Sequence, residues 1–268
     1  MTNKIGIIFA GLTILWLWLV VALKERNMEG MWQMVFILWP SFATITAIYW
    51  FPAHINVGKM LGKNVQTGNL SLFSYLFFGS YLWAAFTYWW VRHIHLVKSI
   101  CSHLNKNGHY ENIHDQIIPN LYLGRRCNLS ELPCISSFMS AKKQSAATSY
   151  MVVDLTAEFS ESKGIVEHLS RYICLPVLDT RIPPLDEFIS VAQQVAEFIR
   201  HERGVVYIHC ANGHGRSAAL VAAVLLLLGY SKTTSEVQSF LQTRRPSVKL
   251  HGIQRQLIEQ FISLTENK

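Results

Sequence analysis

The sequence predicts an α/β domain with a mostly parallel central sheet, preceded by an all-α bundle of three transmembrane helices. Three observations predict this class: long apolar runs at the start of the chain, alternating strand-like and helix-like segments in its second half, and a glycine-rich turn between a strand and a helix. Hydrophobic residues make up 50% of the 268 residues. That proportion is typical of a membrane portion joined to one domain.

The membrane portion is predicted at 1–97, with apolar runs at about 5–23, 31–51 and 70–91 that are each long enough to cross a bilayer as a helix. The first run has no convincing small-residue cleavage site, so we expect it to be retained rather than removed as a signal peptide. Residues 1–100 hold 7 Lys and Arg against 2 Asp and Glu. The placement of these charges favours a multi-pass integral membrane protein whose C-terminal domain is cytoplasmic.

A polar, histidine-rich linker is predicted at 98–116, followed by one domain at 117–268. The domain carries nearly balanced charge and no basic stripe, which excludes a nucleic-acid partner. The histidines do not supply a zinc ligand set, so no metal and no other cofactor is expected. The five cysteines show no disulfide spacing, which favours a reducing compartment.

The alternation of elements in 117–268 predicts the mostly parallel sheet. Short runs rich in Val, Ile and Tyr predict strands at 120–124, 150–156, 172–178 and 204–210. Apolar periodicity predicts helices in PPLDEFISVAQQVAEFIR, SAALVAAVLLLLGY, TSEVQSFLQTRRP and HGIQRQLIEQFISL. The second of these helices is apolar on all sides and is therefore expected to be buried.

The segment VVYIHCANGHGRSAAL at 205–220 places Cys210 at the end of a strand and Arg216 at the start of a helix. The glycines between them permit positive φ, so that successive backbone N–H groups can point into one anion-binding hollow. The helix adds the positive end of its dipole, and Arg216 can bind two phosphate oxygens at once. The predicted phosphate-binding residues are Ala211, Asn212, Gly213, His214, Gly215 and Arg216.

The same donors should lower the pKa of Cys210 and make it a thiolate that attacks phosphorus, giving a covalent phospho-cysteine. Asp179, in a loop after a strand, is the predicted general acid and base, whereas the alternative Asp186 falls in the first turn of a helix. Ser217 can donate a hydrogen bond to the sulfur, and His209 is expected to orient the loop rather than act as a base. Whether a second cysteine reacts with an oxidised Cys210 stays open.

Residues 117–263 resemble the cysteine-dependent dual-specificity phosphatases, a protein-tyrosine-phosphatase-like family, through NLYLG, VVDLTAE, LPVLD, HCANGHGRS and RRPSV. The resemblance implies a twisted sheet flanked by helices, and it implies the nucleophile, phosphate grip, general acid and leaving-group hydroxyl at Cys210, Arg216, Asp179 and Ser217. LDTRIPPLDEF also resembles the acid loop of the mitochondrial phosphatase for phosphatidylglycerophosphate, and the Glu158-Phe159 pair partly resembles its acidic-aromatic loop. The family's inositol-lipid phosphatases carry extra basic loop residues, whereas this loop has a histidine and no lysine.

These features predict a membrane-anchored phosphatase for phosphomonoesters, with a leaning to a lipid phosphate such as phosphatidylglycerophosphate. The alternative is a dual-specificity protein phosphatase that acts on phosphotyrosine, phosphoserine or phosphothreonine. Two further hypotheses are a non-catalytic phosphate-binding module and a rhodanese-like sulfur transferase. A sulfur transferase would not need Asp179 in an acid loop. The expected partners are a phospholipid or phosphoprotein substrate and the lipid bilayer.

Overall fold

The protein is described from a computed structural model. The structural statements below concern these residues: 4–26, 28, 30–31, 33, 45–46, 49–50, 57–94, 97–99, 102–104, 110–127, 131, 149–162, 171–202 and 204–266. Most of the second predicted membrane run, 31–51, therefore lies outside the described residues, as do Cys101 and Cys134.

The N-terminal region contains two long helices, α1 at Lys4–Glu25 and α2 at Leu72–Ile94. Between them, a 3-10 helix at Val57–Leu61 leads into a turn closed by a bridge between Lys63 and Leu70. The chain has no Pro in either long helix, and runs of Leu, Ile, Ala and aromatic residues support both.

In the part of the chain that the structure describes, no helix is both long enough and apolar enough to cross a membrane. The predicted bundle of three transmembrane helices is therefore not supported by the described residues. The first and third predicted runs do form helices, since they coincide with α1 and α2.

The region predicted as a linker contains a small antiparallel sheet. Its strands are β1 at Val97–Ser99, β2 at Ser102–Leu104 and β3 at Tyr110–Asn112, in the order β1-β2-β3. The polar, histidine-rich composition of this stretch gave no alternating apolar pattern from which the strands could be predicted.

The central sheet has five strands in the order β4-β5-β8-β6-β7. The strands are β4 at His114–Ile118, β5 at Leu121–Arg125, β6 at Tyr150–Thr156, β7 at Arg171–Val177 and β8 at Val205–Cys210. All neighbouring pairs are parallel except β4 with β5, so the predicted mostly parallel sheet is confirmed. Sequence reasoning missed β4, in which only the last two residues are buried.

The four predicted helices of the domain are confirmed as α3 at Leu185–His201, α4 at Arg216–Leu227, α5 at Thr234–Arg244 and α6 at Gly252–Glu266. Residues 216–225 of α4 are all buried, as its apolar sequence predicted. Successive side chains of a strand point to opposite faces. Val206 and Ile208 therefore join the main core with these helices, while Val205 and Tyr207 join a second apolar cluster.

Three loops meet at one edge of the sheet because parallel strands end there together. The phosphate loop, 211–215, follows β8, which pairs in parallel with both β5 and β6. The glutamate loop, 157–161, follows β6, and the acid loop, 178–184, follows β7. The fold therefore brings residues that are far apart in the sequence to a single place.

Candidate active site

The thiol of Cys210 lies at the base of the phosphate loop and is 3% exposed. Its sulfur accepts hydrogen bonds from the backbone N–H of Gly213 at 3.3 Å and from Oγ of Ser217 at 3.2 Å. Burial alone would raise the pKa of this thiol, but the Arg216 charge, the Ser217 hydroxyl and two backbone N–H groups bring it below its ordinary value. The site therefore favours the thiolate form of Cys210.

The phosphate loop depends on glycine at position 213. Gly213 has φ of 75°, in the left-handed region, and a Cβ there would lie 2.5 Å from the backbone of Gly124. The carbonyl of Gly213 accepts a hydrogen bond of 3.1 Å from Nε of Arg245, which is fully buried. A side chain at position 213 would therefore push the loop away from β5 and from this arginine.

Arg216, the first residue of α4, makes a bidentate contact with Glu158 from the glutamate loop. Nη1 and Nη2 donate to the two carboxylate oxygens at 3.0 and 2.7 Å, and Nη1 also donates to the carbonyl of Val177 at 2.6 Å. Nε donates to no residue in the described part of the chain. The edge formed by Nε and Nη2 is therefore still available to bind an oxyanion.

Glu158 is a residue of the candidate site to which the sequence analysis assigned no role. The Glu158-Phe159 pair was noted only for its resemblance to an acidic-aromatic loop. The signal that could have identified it is a carboxylate directly after a buried strand that is adjacent to the phosphate-loop strand. A buried guanidinium at a helix start needs such a partner.

Asp179 lies in the acid loop with one carboxylate oxygen 3.4 Å from Nη2 of Arg216. Its side chain is 60% exposed, so it reaches the site from the solvent side. Thr180, the next residue, has φ of 62°, which is uncommon for a residue other than glycine and turns the loop sharply. The alternative acid, Asp186, is exposed in the first turn of α3, where an acidic residue is ordinary.

The other predicted phosphate-loop residues have different surroundings. Ala211 packs against Trp89 and Phe159, and the Oδ1 atom of Asn212 is buried without a hydrogen-bond partner among the described residues. His214 contacts Glu111 at 2.7 Å through Nε2. A Cβ on Gly215 would lie 2.8 Å from Nε2 of Gln254, at the flexible end of that side chain on α6.

A buried polar cluster lies behind the phosphate loop around His209. Nε2 of His209 is 2.7 Å from a carboxylate oxygen of Glu161. Burial would lower the pKa of this imidazole, but the carboxylates of Glu161 and Asp154 raise it above its ordinary value. Asp154 in turn contacts Nζ of Lys63 at 2.5 Å, and neither side chain of that ion pair is exposed.

Asp154, Glu161 and His209 offer ligand atoms that lie within 4.8 Å of one another. The positive charge that such a set needs is already supplied by Lys63, which also donates to the carbonyl and hydroxyl oxygens of Thr156 at 2.8 and 3.0 Å. The arrangement is therefore explained as a buried ion pair, and the loop-orienting role of His209 stays a prediction.

The remaining described cysteines differ from Cys210 in their surroundings. Cys127 and Cys174 are free thiols. Burial and nearby acidic groups raise the pKa of Cys127 well above its ordinary value, and burial with Asp154 raises that of Cys174 to about 12. The pKa of neither thiol is lowered as that of Cys210 is.

Each of the three loops at the site is contacted by the N-terminal region. The hydroxyl of Tyr49 donates to the carbonyl of Asp179 at 3.3 Å in the acid loop. Lys63 holds the end of β6, and the N–H of Glu161 in the glutamate loop donates to the carbonyl of Gly68 at 2.8 Å. The indole Nε1 of Trp89, on α2, donates to the carbonyl of Ala211 at 2.9 Å in the phosphate loop.

A parallel sheet with a buried thiol, a glycine-rich anion loop and an arginine at the start of the following helix define a domain of the cysteine-dependent phosphatase type. Residues 134–262 match the family model described as dual specificity phosphatase, catalytic domain. The match and the site support a cysteine-dependent phosphatase, as the motifs predicted, and residues 134–262 are similar to the catalytic domain of the dual-specificity phosphatases.

One similar curated protein is the putative tyrosine phosphatase 197R of Invertebrate iridescent virus 6. It is 32% identical over 81 residues, which cover 28% of this chain and 30% of the viral protein. The match thus spans less than a third of that relative.

Solved structures with a similar fold include the human tyrosine phosphatase-like serine/threonine/tyrosine-interacting protein, at 19% identity and a TM-score of 0.46, covering 57% of this chain and 97% of that one. Tk-PTP in its active form has 19% identity and a TM-score of 0.47, covering 56% and 97%. PTPMT1 in complex with PI(5)P has 15% identity and a TM-score of 0.48, covering 58% and 98%.

Proposed function

We propose that the protein hydrolyses phosphomonoesters through a covalent phospho-cysteine intermediate on Cys210. The observation that carries this proposal is the sulfur itself, which accepts hydrogen bonds from Gly213 and Ser217 and has its pKa lowered by Arg216 and these donors. A thiolate below an anion-binding loop is a nucleophile positioned to attack phosphorus.

In the first step, the Cys210 thiolate attacks phosphorus, so that a sulfur–phosphorus bond forms while the bond from phosphorus to the leaving oxygen breaks. Asp179, in its carboxylic acid form, gives its proton to that oxygen, and the alcohol departs. The free Nε–Nη2 edge of Arg216 binds two oxygens of the phosphoryl group and stabilises their charge. Glu158 fixes the guanidinium plane through its bidentate contact.

In the second step, water attacks the phosphorus of the phospho-cysteine and the Asp179 carboxylate takes its proton. The sulfur–phosphorus bond breaks, and inorganic phosphate and the thiolate are released. The hydroxyl of Ser217, 3.2 Å from the sulfur, donates a hydrogen bond to the departing thiolate and makes it a better leaving group.

We further propose that the phosphate belongs to a lipid, with phosphatidylglycerophosphate as the leading example. The support is the exposed apolar surface of the two N-terminal helices. Trp18 on α1 and Leu72, Leu76 and Trp83 on α2 are 65% to 76% exposed, and α2 contacts the phosphate loop through Trp89. An apolar surface of this kind is typical of a protein or membrane contact, and association of α1 and α2 with a bilayer would place lipid headgroups near Cys210.

The surroundings of His214 favour a lipid with few phosphates. This residue occupies a phosphate-loop position where a basic residue would help to bind additional phosphates, but its ring contacts Glu111 at 2.7 Å. The carboxylate competes with an external phosphate for the ring. A cytoplasmic location of the catalytic domain in a membrane protein remains our proposal from the charge distribution.

A dual-specificity or tyrosine-specific protein phosphatase is the second candidate function. It is favoured by the viral relative, which is named a putative tyrosine phosphatase and is 32% identical over the matched segment. The exposed acid loop would also admit a phosphorylated side chain, since Asp179 is 60% exposed.

The test is a substrate panel with the full-length protein in mixed detergent micelles. It compares phosphatidylglycerophosphate, phosphatidic acid, mono- and polyphosphorylated inositides, phosphotyrosine and phosphothreonine peptides, and an aryl phosphate. We expect phosphatidylglycerophosphate to give the highest kcat/KM and Cys210→Ser to reduce turnover of every substrate by at least about a thousandfold. Higher turnover of phosphopeptides would replace the lipid proposal with the second candidate.

Rapid quenching with the aryl phosphate provides a direct check of the intermediate. We expect mass spectrometry to find one phosphoryl group on the peptide that contains Cys210, and none in Cys210→Ser. Wild-type turnover rates in Cys210→Ser would contradict the mechanism itself.

A further inference from the structure

We propose that Arg126 binds a second acidic group of the substrate, next to the phosphomonoester held by the phosphate loop. This inference rests on the proposed function and makes its substrate class narrower: a lipid that carries a phosphodiester close to its terminal phosphate. Arg126 lies outside the family-matched residues and was not among the site residues predicted from the sequence.

The backbone places Arg126 beside the catalytic cysteine. β5 pairs in parallel with β8, with Arg125 opposite Cys210, and the N–H of Arg126 donates to the carbonyl of Cys210 at 2.7 Å. The side chain of Arg126 thus starts one backbone hydrogen bond away from the first residue of the site.

Two aromatic rings fix the direction of the Arg126 guanidinium. Its central carbon lies 5.1 Å from the ring centre of Trp89 and 5.2 Å from that of Phe159. Trp89 itself donates to Ala211, and Phe159 follows Glu158, the partner of Arg216. The guanidinium is therefore held between two residues that both contact or adjoin the catalytic loops.

Arg126 differs from the other arginines near the site because it has no carboxylate partner among the described residues. Arg125 pairs with Glu131 at 2.6 Å, Arg216 with Glu158 at 2.7 Å, and Arg245 with Asp115 at 2.6 Å. Within the described residues, Arg126 has no carboxylate partner.

The donors of Arg126 are also incompletely used. Nη2 donates to the carbonyl of Ser160 at 3.0 Å, whereas Nε is buried without a hydrogen-bond partner among the described residues. Because Nε is covered by the protein, a ligand would meet the donors of the Nη groups, and a partly buried cation without a carboxylate partner is costly unless a ligand supplies the opposite charge. The chemistry it requires is an anion that can accept from a planar guanidinium, such as a phosphodiester or carboxylate.

We commit to the phosphodiester of a lipid because the rings of Trp89 and Phe159 flank the guanidinium and Trp89 belongs to α2, whose outer face is apolar. Phosphatidylglycerophosphate has this chemistry, with a diester phosphate near its terminal monoester. Phosphatidic acid has a single phosphate and serves as the matched lipid that lacks the second group.

The experiment measures kcat/KM of the full-length protein for short-chain phosphatidylglycerophosphate, short-chain phosphatidic acid and an aryl phosphate. We expect Arg126→Gln to reduce the preference for phosphatidylglycerophosphate over phosphatidic acid about tenfold, mainly through KM, with aryl phosphate turnover unchanged within about twofold. Arg126→Lys should retain most of the preference because it keeps the charge. The control is Arg171→Gln, which removes another guanidinium stacked on a ring, 5.6 Å from Phe198, and should leave the preference unchanged.

The outcomes separate this inference from the proposed function. Equal losses on both lipids in Arg126→Gln, or no loss on either, would overturn the role of Arg126 and leave the phosphatase proposal intact. Failure of the wild-type protein to hydrolyse the aryl phosphate would overturn the proposed function itself. Absence of wild-type activity on both lipids, with turnover of the aryl phosphate retained, would overturn the assignment to a lipid phosphodiester.

Discussion

The catalytic domain and the N-terminal region differ in how far their large apolar side chains are exposed. The domain encloses its apolar residues, and ten successive positions of α4 are buried. The N-terminal helices leave large side chains in contact with solvent, and Leu72 is 76% exposed. The same N-terminal region also contains Lys63, whose buried side chain pairs with Asp154 of the domain. The N-terminal region is thus both an outer surface and an inner support of the active site.

The folded unit that surrounds the candidate site is larger than the segment that matches the family model. The matched residues, 134–262, contain Cys210, Arg216 and both flanking loops. Further contacts that hold these loops come from Tyr49, Lys63 and Trp89, all outside the match. Three predictions compare the effect of the N-terminal contacts on stability and activity with the effect of residues in the domain.

The largest effect is expected for Lys63→Met. Burial would raise the pKa of the Asp154 carboxyl, but the charges of Lys63 and His209 bring it below its ordinary value. The ion pair therefore stabilises the fold at pH values above the pKa of an unfolded aspartate, about 4. This stabilisation is lost progressively as the pH falls from there through the lower pKa of the folded state. Removing Lys63 leaves a buried carboxylate without its partner, at a cost of about 3–5 kcal/mol. Denaturant unfolding of the full chain at pH 7 measures this as a lower transition midpoint.

Lys59→Met is the matched control from the same segment. Lys59 pairs with Glu187 at 2.7 Å, but its side chain is 53% exposed, so its removal should cost less than about 1 kcal/mol. The double variant Lys63→Met/Asp154→Leu should recover part of the lost stability. Equal midpoints for the Lys59→Met and Lys63→Met proteins would show that the N-terminal region does not support the domain.

The next largest effect tests the domain's own chemistry through Asp179→Asn. Without the proton donor, kcat for substrates with poor leaving groups should fall about a hundredfold or more, since general acid catalysis contributes that much. Aryl phosphates with acidic leaving groups need no proton and should be nearly unaffected. Kinetics over a series of leaving groups, with Asp186→Asn as the control, provide the measurement. A uniform loss across the series would assign the proton transfer to another residue.

The sequence alone predicted the parts of the molecule that follow from local patterns. Four strands, four helices and the loop from Cys210 to Arg216 were recognised because apolar periodicity and a glycine-rich turn are encoded by neighbouring residues. Asp179 was placed at the site because it follows a strand, and the structure brings it 3.4 Å from Arg216.

The partners of these residues were not predicted because they arise from packing between distant segments. Glu158 contacts Arg216 across 58 positions of the sequence, and Lys63 contacts Asp154 across 91. A lysine in a polar turn has no local feature that marks it as buried. Gly68, with φ of 69°, belongs to the same turn as Lys63, and a Cβ there would lie 2.3 Å from the hydroxyl of Tyr172 in the domain. That turn is shaped to fit the domain.

The smallest effect is expected for Trp89→Phe, which keeps an aromatic ring but removes the hydrogen bond to Ala211. Loss of one buried neutral hydrogen bond leaves a carbonyl unsatisfied at a cost of about 1–2 kcal/mol. Because that carbonyl belongs to the phosphate loop, we expect kcat/KM for an aryl phosphate to fall about threefold to tenfold. Trp83→Phe on the same helix is the control, since Trp83 is 71% exposed. Equal activity in the two variants would mean that α2 packs beside the phosphate loop without positioning it, and the N-terminal region would then contribute to the stability of the domain rather than to its activity.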